Sequence, residues 1–294
     1  MLFNYIHLLR PKHWIKNLFV FAALIFSLNL FNIVKLIASL QAFFSFCLAS
    51  SFVYIINDII DIEQDRKHPK KRNRPITSGR ISIKNAIIIS ILCLIASTIL
   101  AYFVNLNTLI IISVYIFVNI FYSMKIKNVV ILDVMFISLG FILRMVAGAT
   151  AIEVSFSNWI LLTTFCISLF LGFGKRRGEL VLVNNNTKKN TRLVLELYSM
   201  QFLDYMIISS ITLTIISYAL YTIDSEVIKR FGTDKLIYTV PLVIYGIFRY
   251  LYVIYRSDSN GDPTEVVLKD KSIISVVLLW ILLVIGLIYG VKLI

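Results

Sequence analysis

Nine predominantly apolar stretches, each close to the ~20 residues that an α-helix needs to cross the hydrocarbon of a bilayer, run through this 294-residue chain. They fall at about 15–33, 36–58, 85–105, 107–123, 129–150, 157–174, 203–223, 236–256 and 272–292. In lipid every backbone N–H and C=O must be bonded within its own segment, which leaves helices as the natural form. Composition agrees. The chain is 59% hydrophobic and 15% charged, whereas soluble domains are roughly one quarter charged. The expected fold is therefore all-α, a polytopic membrane bundle of about nine transmembrane helices around a central cavity. Asn105 and Asn107 mark a tight turn between the third and fourth stretches. No Ser/Gly/Pro-rich linker and no internal repeat divides the chain, so residues 1–294 are expected to form a single integral-membrane domain.

The formal net charge is +13, which in a soluble protein raises the question of nucleic acid. Here the charge has another explanation, because the basic residues sit between apolar runs. The side that holds the N-terminus carries 23 of the 29 Lys and Arg residues, the opposite side carries five, and Arg144 lies inside the fifth span. By the positive-inside rule the N-terminus and the loops after spans two, four, six and eight are cytoplasmic, in a cell membrane. The first apolar run lacks a small-residue cleavage site and is expected to be retained as a span. Cys47, Cys93 and Cys166 lie within apolar runs without CxxC or Cys/His spacing, and His7, His13 and His68 form no zinc pattern. They read as packing residues, not as a disulfide framework or a metal site.

The chemistry concentrates where the second span ends, in Asn57-Asp58-Ile59-Ile60-Asp61-Ile62-Glu63-Gln64-Asp65. Asp58, Asp61 and Asp65 are spaced i, i+3, i+7, which on a continuous helix gives one face, with Asn57 beside Asp61 at i, i+4. Three carboxylates stacked at the edge of the hydrocarbon are costly unless cations occupy them. Mg²⁺ takes oxygen ligands and combines one or two carboxylates with phosphate oxygens and water. The pattern suits a metal-bridged diphosphate, with Asn57, Asp58, Asp61 and Asp65 as candidate ligands. The alternative is an acidic helix end neutralised by the basic loop 66–75 that follows it.

Asn57-Asp58-x-x-Asp61-x-x-x-Asp65, followed by Arg66-x-His68-Pro69-x-Lys71 and Arg74-Pro75-Ile76-x-Ser78-Gly79, resembles the first signature of the UbiA superfamily of intramembrane prenyltransferases. The resemblance implies that this segment binds Mg²⁺ and a substrate diphosphate, with phosphate contacts from Arg66, Lys71 and Arg74. The second Asp-rich motif usual in that superfamily, DxxxD after span six, is absent. In its place stand Gly174-Lys175-Arg176-Arg177-Gly178-Glu179-Leu180 and Tyr198-x-x-x-Phe202-Leu203-Asp204. These segments, together with Arg10-Pro11-Lys12-x-Trp14-x-Lys16-Asn17, Leu132-Asp133-Val134 with Arg144, and Gly261-Asp262-Pro263-Thr264-Glu265, look like the branch typified by decaprenyl-phosphate phosphoribosyltransferase. That branch implies transfer of 5-phosphoribose from phosphoribosyl pyrophosphate to a polyprenyl phosphate, as a step toward a lipid-linked cell-wall precursor.

Basic residues in place of acids suit a donor and acceptor that together carry more phosphate than a prenyl diphosphate. Arg offers bidentate contacts and Lys a compact charge. Lys175, Arg176 and Arg177, with Tyr198 and Asp204, are the candidates after span six, although a KRR run also satisfies the positive-inside rule. Lys12 and Lys16, with Arg10 and Trp14, serve either as headgroup anchors or as a lipid-phosphate site. Arg144 reads as cavity lining, since Asp133 lies ~16 Å away along the same helix. Tyr122, Lys125 and Lys127 in the short loop after span four are candidates to reach the same site, although short basic loops are common. Two rival readings remain at this stage. One is prenyl transfer from a prenyl diphosphate to an aromatic or other acceptor, against which the missing DxxxD counts. The other is a transporter or lipid-binding protein, for which the interrupted spans and coupling-ion pattern are lacking.

Overall fold

The structure, a computed structural model, describes residues 2–67, 71–155, 157–184, 193–256 and 263–290. Among these residues every regular element is a helix. Eight helices are long and apolar enough to cross a membrane, which makes the chain a multi-pass membrane protein. They pack as two compact units, Met1–Ser155 with Lys188–Val194, and Phe156–Thr187 with Leu195–Ile294.

The first unit begins with α1 (Leu2–Leu9), a 3₁₀ stretch (Pro11–Phe21) and α2 (Ala22–Phe26). The first of the nine expected spans falls here, and it is not one of the eight helices long and apolar enough to cross a membrane among the described residues. A 3₁₀ turn rises ~2.0 Å per residue against ~1.5 Å for α, so sixteen residues reach roughly 30 Å, about the hydrocarbon thickness. Side chains on α3 (Ile33–Ile60) hold the stretch: Trp14 Nε1 donates to Ser51 Oγ at 3.1 Å, and buried Asn17 donates to Ser50 Oγ at 3.3 Å. After the short α4 (Ile62–Lys67) come α5 (Ile83–Val104), α6 (Leu106–Met124) and α7 (Leu132–Ala151). Small residues permit close helix packing in lipid. Ser45 on α3 and Ser97 on α5 each donate to the other's carbonyl, at 2.7 and 2.8 Å. Gly148 on α7 meets the 3₁₀ stretch so closely that a Cβ there would sit 1.9 Å from the Val20 carbonyl oxygen. Asn105 terminates α5 and caps α6, accepting from the Thr108 N–H at 2.8 Å. The tight turn read from Asn105 and Asn107 lies there. The outer surface of α5 exposes Ile87, Ile88, Ile91, Leu92, Ile95 and Ile99, as a lipid-facing helix should.

The second unit holds α8 (Asn158–Asn184), α9 (Met200–Ile223), the short α10 (Ser225–Phe231), α11 (Val240–Arg256), α12 (Pro263–Lys269) and α13 (Lys271–Gly290). Polar pairs again join neighbours: Thr163 donates to Ser217 at 3.0 Å, and Trp280 Nε1 to Tyr218 Oη at 2.8 Å. Asp270 caps α13 by accepting from the Ile273 N–H at 2.9 Å and pairs with Arg249 on α11 at 2.9 Å. Helix α8 outruns its predicted span by ten residues, so Lys175, Arg176 and Arg177 sit on the helix itself and not in a loop. Cys47, Cys93 and Cys166 are buried free thiols within helices, as read from sequence. Gly261 and Asp262, with His68 and Pro69, lie outside the described residues.

Candidate active site

The acidic cluster is not carried on one unbroken helix. Helix α3 ends at Ile60, Asp61 occupies the turn with φ −93° and ψ 8°, and α4 restarts at Ile62. The carboxylates divide between partners. Asp58 and Asp65, both nearly fully buried, come together on one guanidinium, that of Arg74. Asp61 turns instead to Lys127, 66 residues away, while Asn57 Nδ2 donates to Asp61 Oδ2 at 3.2 Å. The i, i+4 pairing of Asn57 with Asp61 is thus present. Asp61 meets a different cation from Asp58 and Asp65.

Local sequence explains how Arg74 arrives. It follows a 3₁₀ turn, Lys71–Asn73, and Ser78 Oγ ties back to the Arg74 carbonyl at 2.7 Å. Gly79 takes φ +75°, a left-handed position that glycine adopts freely. Ile76 and Ile81 on either side are buried with Leu8, Ile55 and Ala86, so two apolar pegs fasten the loop over the end of α3. Lys71 adds a longer contact to Asp65 at 3.6 Å.

A fourth cation comes from the N-terminal segment. Arg10 donates to Asp58 Oδ1, the same oxygen that accepts from Arg74 NH1 at 2.8 Å. Its backbone is left-handed, φ 54° and ψ 54°, immediately before Pro11. Non-glycine residues hold that conformation only where surrounding structure over-determines it. Ser51 supplies part of that structure by donating to the Leu9 carbonyl at 2.8 Å, and the Tyr54 ring lies 5.1 Å from the guanidinium carbon. Three carboxylates thus face four cations, Arg10, Lys71, Arg74 and Lys127. Burial is the larger influence on both partners of the central pair. It pushes the Asp65 carboxyl up despite Arg74 and Lys71 beside it, with Asp58 and Asp61 adding to the rise. Burial likewise pulls Arg74 down, Arg10 adding to that fall and Asp58 and Asp65 opposing it.

The remaining first-unit candidates are placed as follows. Arg66 pairs with Glu63 at 2.9 Å, both exposed, on the surface and not in the cluster. Lys125 is exposed at the end of α6, so within this loop it is Lys127 that reaches the acids. Lys12 is exposed, and Lys16 and Tyr122 are half-buried. Arg144 is buried, and its guanidinium is met within the protein. It donates to Asn17 Oδ1 at 2.8 Å, the Gly140 carbonyl at 2.7 Å and Tyr115 Oη at 3.0 Å, among the rings of Phe46, Tyr115 and Phe141.

In the second unit, Arg177 Nε donates to Asp204 Oδ1 at 2.6 Å, and Tyr255 donates to the same oxygen with its ring 3.7 Å from the Arg177 guanidinium carbon. Arg176 is buried and pairs with Glu179 at 2.9 Å, one turn on. Lys175 is half-buried on α8, and Tyr198 is buried beside Phe202. Sequence reading joined neither Tyr255 nor Glu179 to these bases and did not connect Arg10 with Asp58. The i, i+3 spacing of Arg176 and Glu179 was a usable signal. No sequence spacing links Arg10 to Asp58.

Residues 17–269 match the sequence model of the UbiA prenyltransferase family. The chain belongs to the UbiA prenyltransferase family. UbiA relatives of similar sequence include the decaprenyl-phosphate phosphoribosyltransferase of Mycolicibacterium smegmatis, 33% identical over 281 residues that cover 92% of this chain and 88% of that protein. The enzyme of the same name from Corynebacterium glutamicum is 33% identical over 289 residues, 96% of this chain and 85% of that protein. The fold is that of a UbiA homolog from Archaeoglobus fulgidus bound to GPP and Mg²⁺, with a TM-score of 0.72 at 20% identity, covering 97% of this chain and 99% of that one.

Proposed function

We propose that this chain, acting as one membrane transferase domain over residues 1–294, moves 5-phosphoribose from phosphoribosyl pyrophosphate to a polyprenyl phosphate and releases diphosphate. The observation that carries the reading is the end-to-end likeness to decaprenyl-phosphate phosphoribosyltransferases, over about nine tenths of both chains. The bias of 23 basic residues to five supports a reaction at the cytoplasmic face.

The donor set Asp58, Asp61, Asp65 and Asn57 is all oxygen and suits Mg²⁺. Among the described residues, no three acidic, His or Cys side chains converge closely enough to hold a metal ion alone. That too fits Mg²⁺, which usually takes some of its ligands from substrate phosphates and water. When bound, the ion would neutralise charge on the departing diphosphate. The chain's own residues do the rest. Arg74 and Lys71 lie beside the carboxylates and would bind diphosphate oxygens, with bidentate geometry available to Arg74. The ribose C1–O bond to diphosphate breaks, C1 gains oxocarbenium character, and an oxygen of the lipid phosphate forms the new C1–O bond. That nucleophile is already anionic, so no strong general base is required. Positioning and charge stabilisation are the protein's contribution. In the second unit, Arg177 and Lys175 are candidates for phosphate contacts of their own.

The test is transfer of label from ribose-labelled phosphoribosyl pyrophosphate into a polyprenyl phosphate by the purified protein with Mg²⁺. Label in the lipid fraction supports the reading. Transfer from a prenyl diphosphate to an aromatic acceptor, with no labelled lipid, would overturn it in favour of prenyl transfer.

A further inference from the structure

Asp58 Oδ1 accepts from two guanidiniums at once, those of Arg10 and Arg74. Asp58 is only 2% exposed, while the Arg10 side chain is 17% exposed. Oδ1 is thus already occupied, and both occupants are partly exposed, Arg74 at 23%. We propose that Arg10 is a diphosphate-positioning residue, held on Asp58 until a metal takes that carboxylate, so that the cluster takes up metal and diphosphate together. The inference rests on the metal-diphosphate reading above and assigns a role in it to a residue of the N-terminal segment.

Three observations support it. The cluster is already neutralised, with Arg10, Lys71, Arg74 and Lys127 facing three carboxylates. A dication entering alone displaces cations that then sit partly buried without a partner, which is unfavourable. Second, Mg²⁺ usually takes part of its ligand set from substrate phosphates and water, so a diphosphate can supply ligands beside Asp58. Third, Arg10 keeps a left-handed backbone just before Pro11, with the Leu9 carbonyl held by Ser51. A headgroup anchor has no use for a fixed strained turn, whereas a group aimed at one oxygen does. Once Asp58 binds metal, the forked guanidinium of Arg10 finds its best acceptors on diphosphate oxygens. Each ligand then removes part of the cost of the other, and the coupling is reciprocal.

The test uses full-length protein in detergent, Mn²⁺ read by electron paramagnetic resonance in place of Mg²⁺, and labelled inorganic pyrophosphate. Arg10→Gln is expected to bind Mn²⁺ alone at least about 5-fold more tightly than wild type, and pyrophosphate at saturating Mn²⁺ at least about 5-fold more weakly. A residue that merely holds structure would weaken both. Lys84→Gln, which removes an exposed charge, should leave both within about twofold, because exposed charges are screened. Mn²⁺ affinity unchanged or weaker in Arg10→Gln overturns the proposal. If Arg10→Gln does not fold, Arg10→Lys serves, keeping the charge but losing the fork: weaker pyrophosphate binding supports the role and unchanged binding overturns it. Tight Mn²⁺ binding to wild type without pyrophosphate, equal to that with it, also overturns the coupling. Wild type that binds no pyrophosphate at any Mn²⁺ concentration sinks the metal-diphosphate reading itself.

Discussion

Arg144 donates its Nε–H to Asn17 Oδ1 at 2.8 Å, joining a charge in α7 to a residue 127 positions earlier. Its other nitrogens meet a carbonyl and a phenol, so neutral oxygens and aromatic rings hold a buried cation in a spanning helix. Removing one of those oxygens leaves a buried donor unsatisfied. Asn17→Ala should cost about 2–4 kcal/mol of stability. Thermal unfolding in detergent measures it, and a cycle with Arg144→Leu should show the two losses to be far from additive. Additive losses would mean the pair is not coupled.

Asp58→Asn and Asp61→Asn should each lower ribosyl transfer about 100-fold or more while leaving membrane insertion intact, because each removes a carboxylate from the site of charge stabilisation. The transfer assay, run beside a check of insertion and monodispersity, reads both. Near-full turnover in either variant counts against the metal site.

Lys127 and Lys125 separate a contact from mere proximity in sequence. Lys127→Gln removes a charged partner of Asp61 and should cost roughly tenfold or more in turnover. Lys125→Gln, at an exposed position, should cost clearly less. Equal losses would show that the loop contributes only general positive charge.

Two glycines predict losses of different origin. At Gly148 a Cβ would lie 1.9 Å from the Val20 carbonyl oxygen, so Gly148→Ala should cost about 3 kcal/mol or more through overpacking. At Gly79 nothing lies within 4 Å, but φ is +75°, so Gly79→Ala should cost only about 1 kcal/mol of backbone strain. Unfolding temperatures of the two variants should rank accordingly.

Asp65 links stability to pH. Burial raises its folded pKa above the ordinary 3.8, so the folded protein holds this proton more tightly than the unfolded chain. Stability from this group therefore rises as pH falls through the folded pKa and is complete below 3.8. The wild type should therefore gain stability from this group as pH falls toward 3.8. Asp65→Asn removes the titrating group and also a partner of Arg74 and Lys71, so it should flatten that dependence while losing activity. An unchanged pH dependence of the unfolding temperature in the variant would contradict it.

The chain itself specifies much of this. Apolar runs set the spans, and local caps set their ends: Asn32, Ser82, Asn105 and Ser199 each accept from an N–H three residues on. The acids at the end of α3 were legible because carboxylates at a membrane edge are too costly to be incidental. Other features were not. The helix expected to run on through Asp58, Asp61 and Asp65 is interrupted at Asp61. The first of the nine expected spans is instead a 3₁₀ stretch and a short helix, outside the eight spanning helices, and Trp14 and Asn17 are fastened to α3 by partners more than thirty residues away. Sequence periodicity reports hydrophobic spacing, and spacing alone does not choose between closely related helix types.

Sequence by itself thus determined that the chain spans a membrane, which end of which span carries the acids, and to which family it belongs. These are properties of composition, local spacing and likeness along the chain. Tertiary structure decided which cations meet which carboxylates. Arg10 on Asp58 and Lys127 on Asp61 span 48 and 66 residues, and Arg144 turns to Asn17 and Tyr115 instead of an open cavity. Such pairings depend on how helices and loops converge in space. Once converged, a partly buried charge takes the nearest partner that lowers its desolvation cost, however far off that partner lies in sequence.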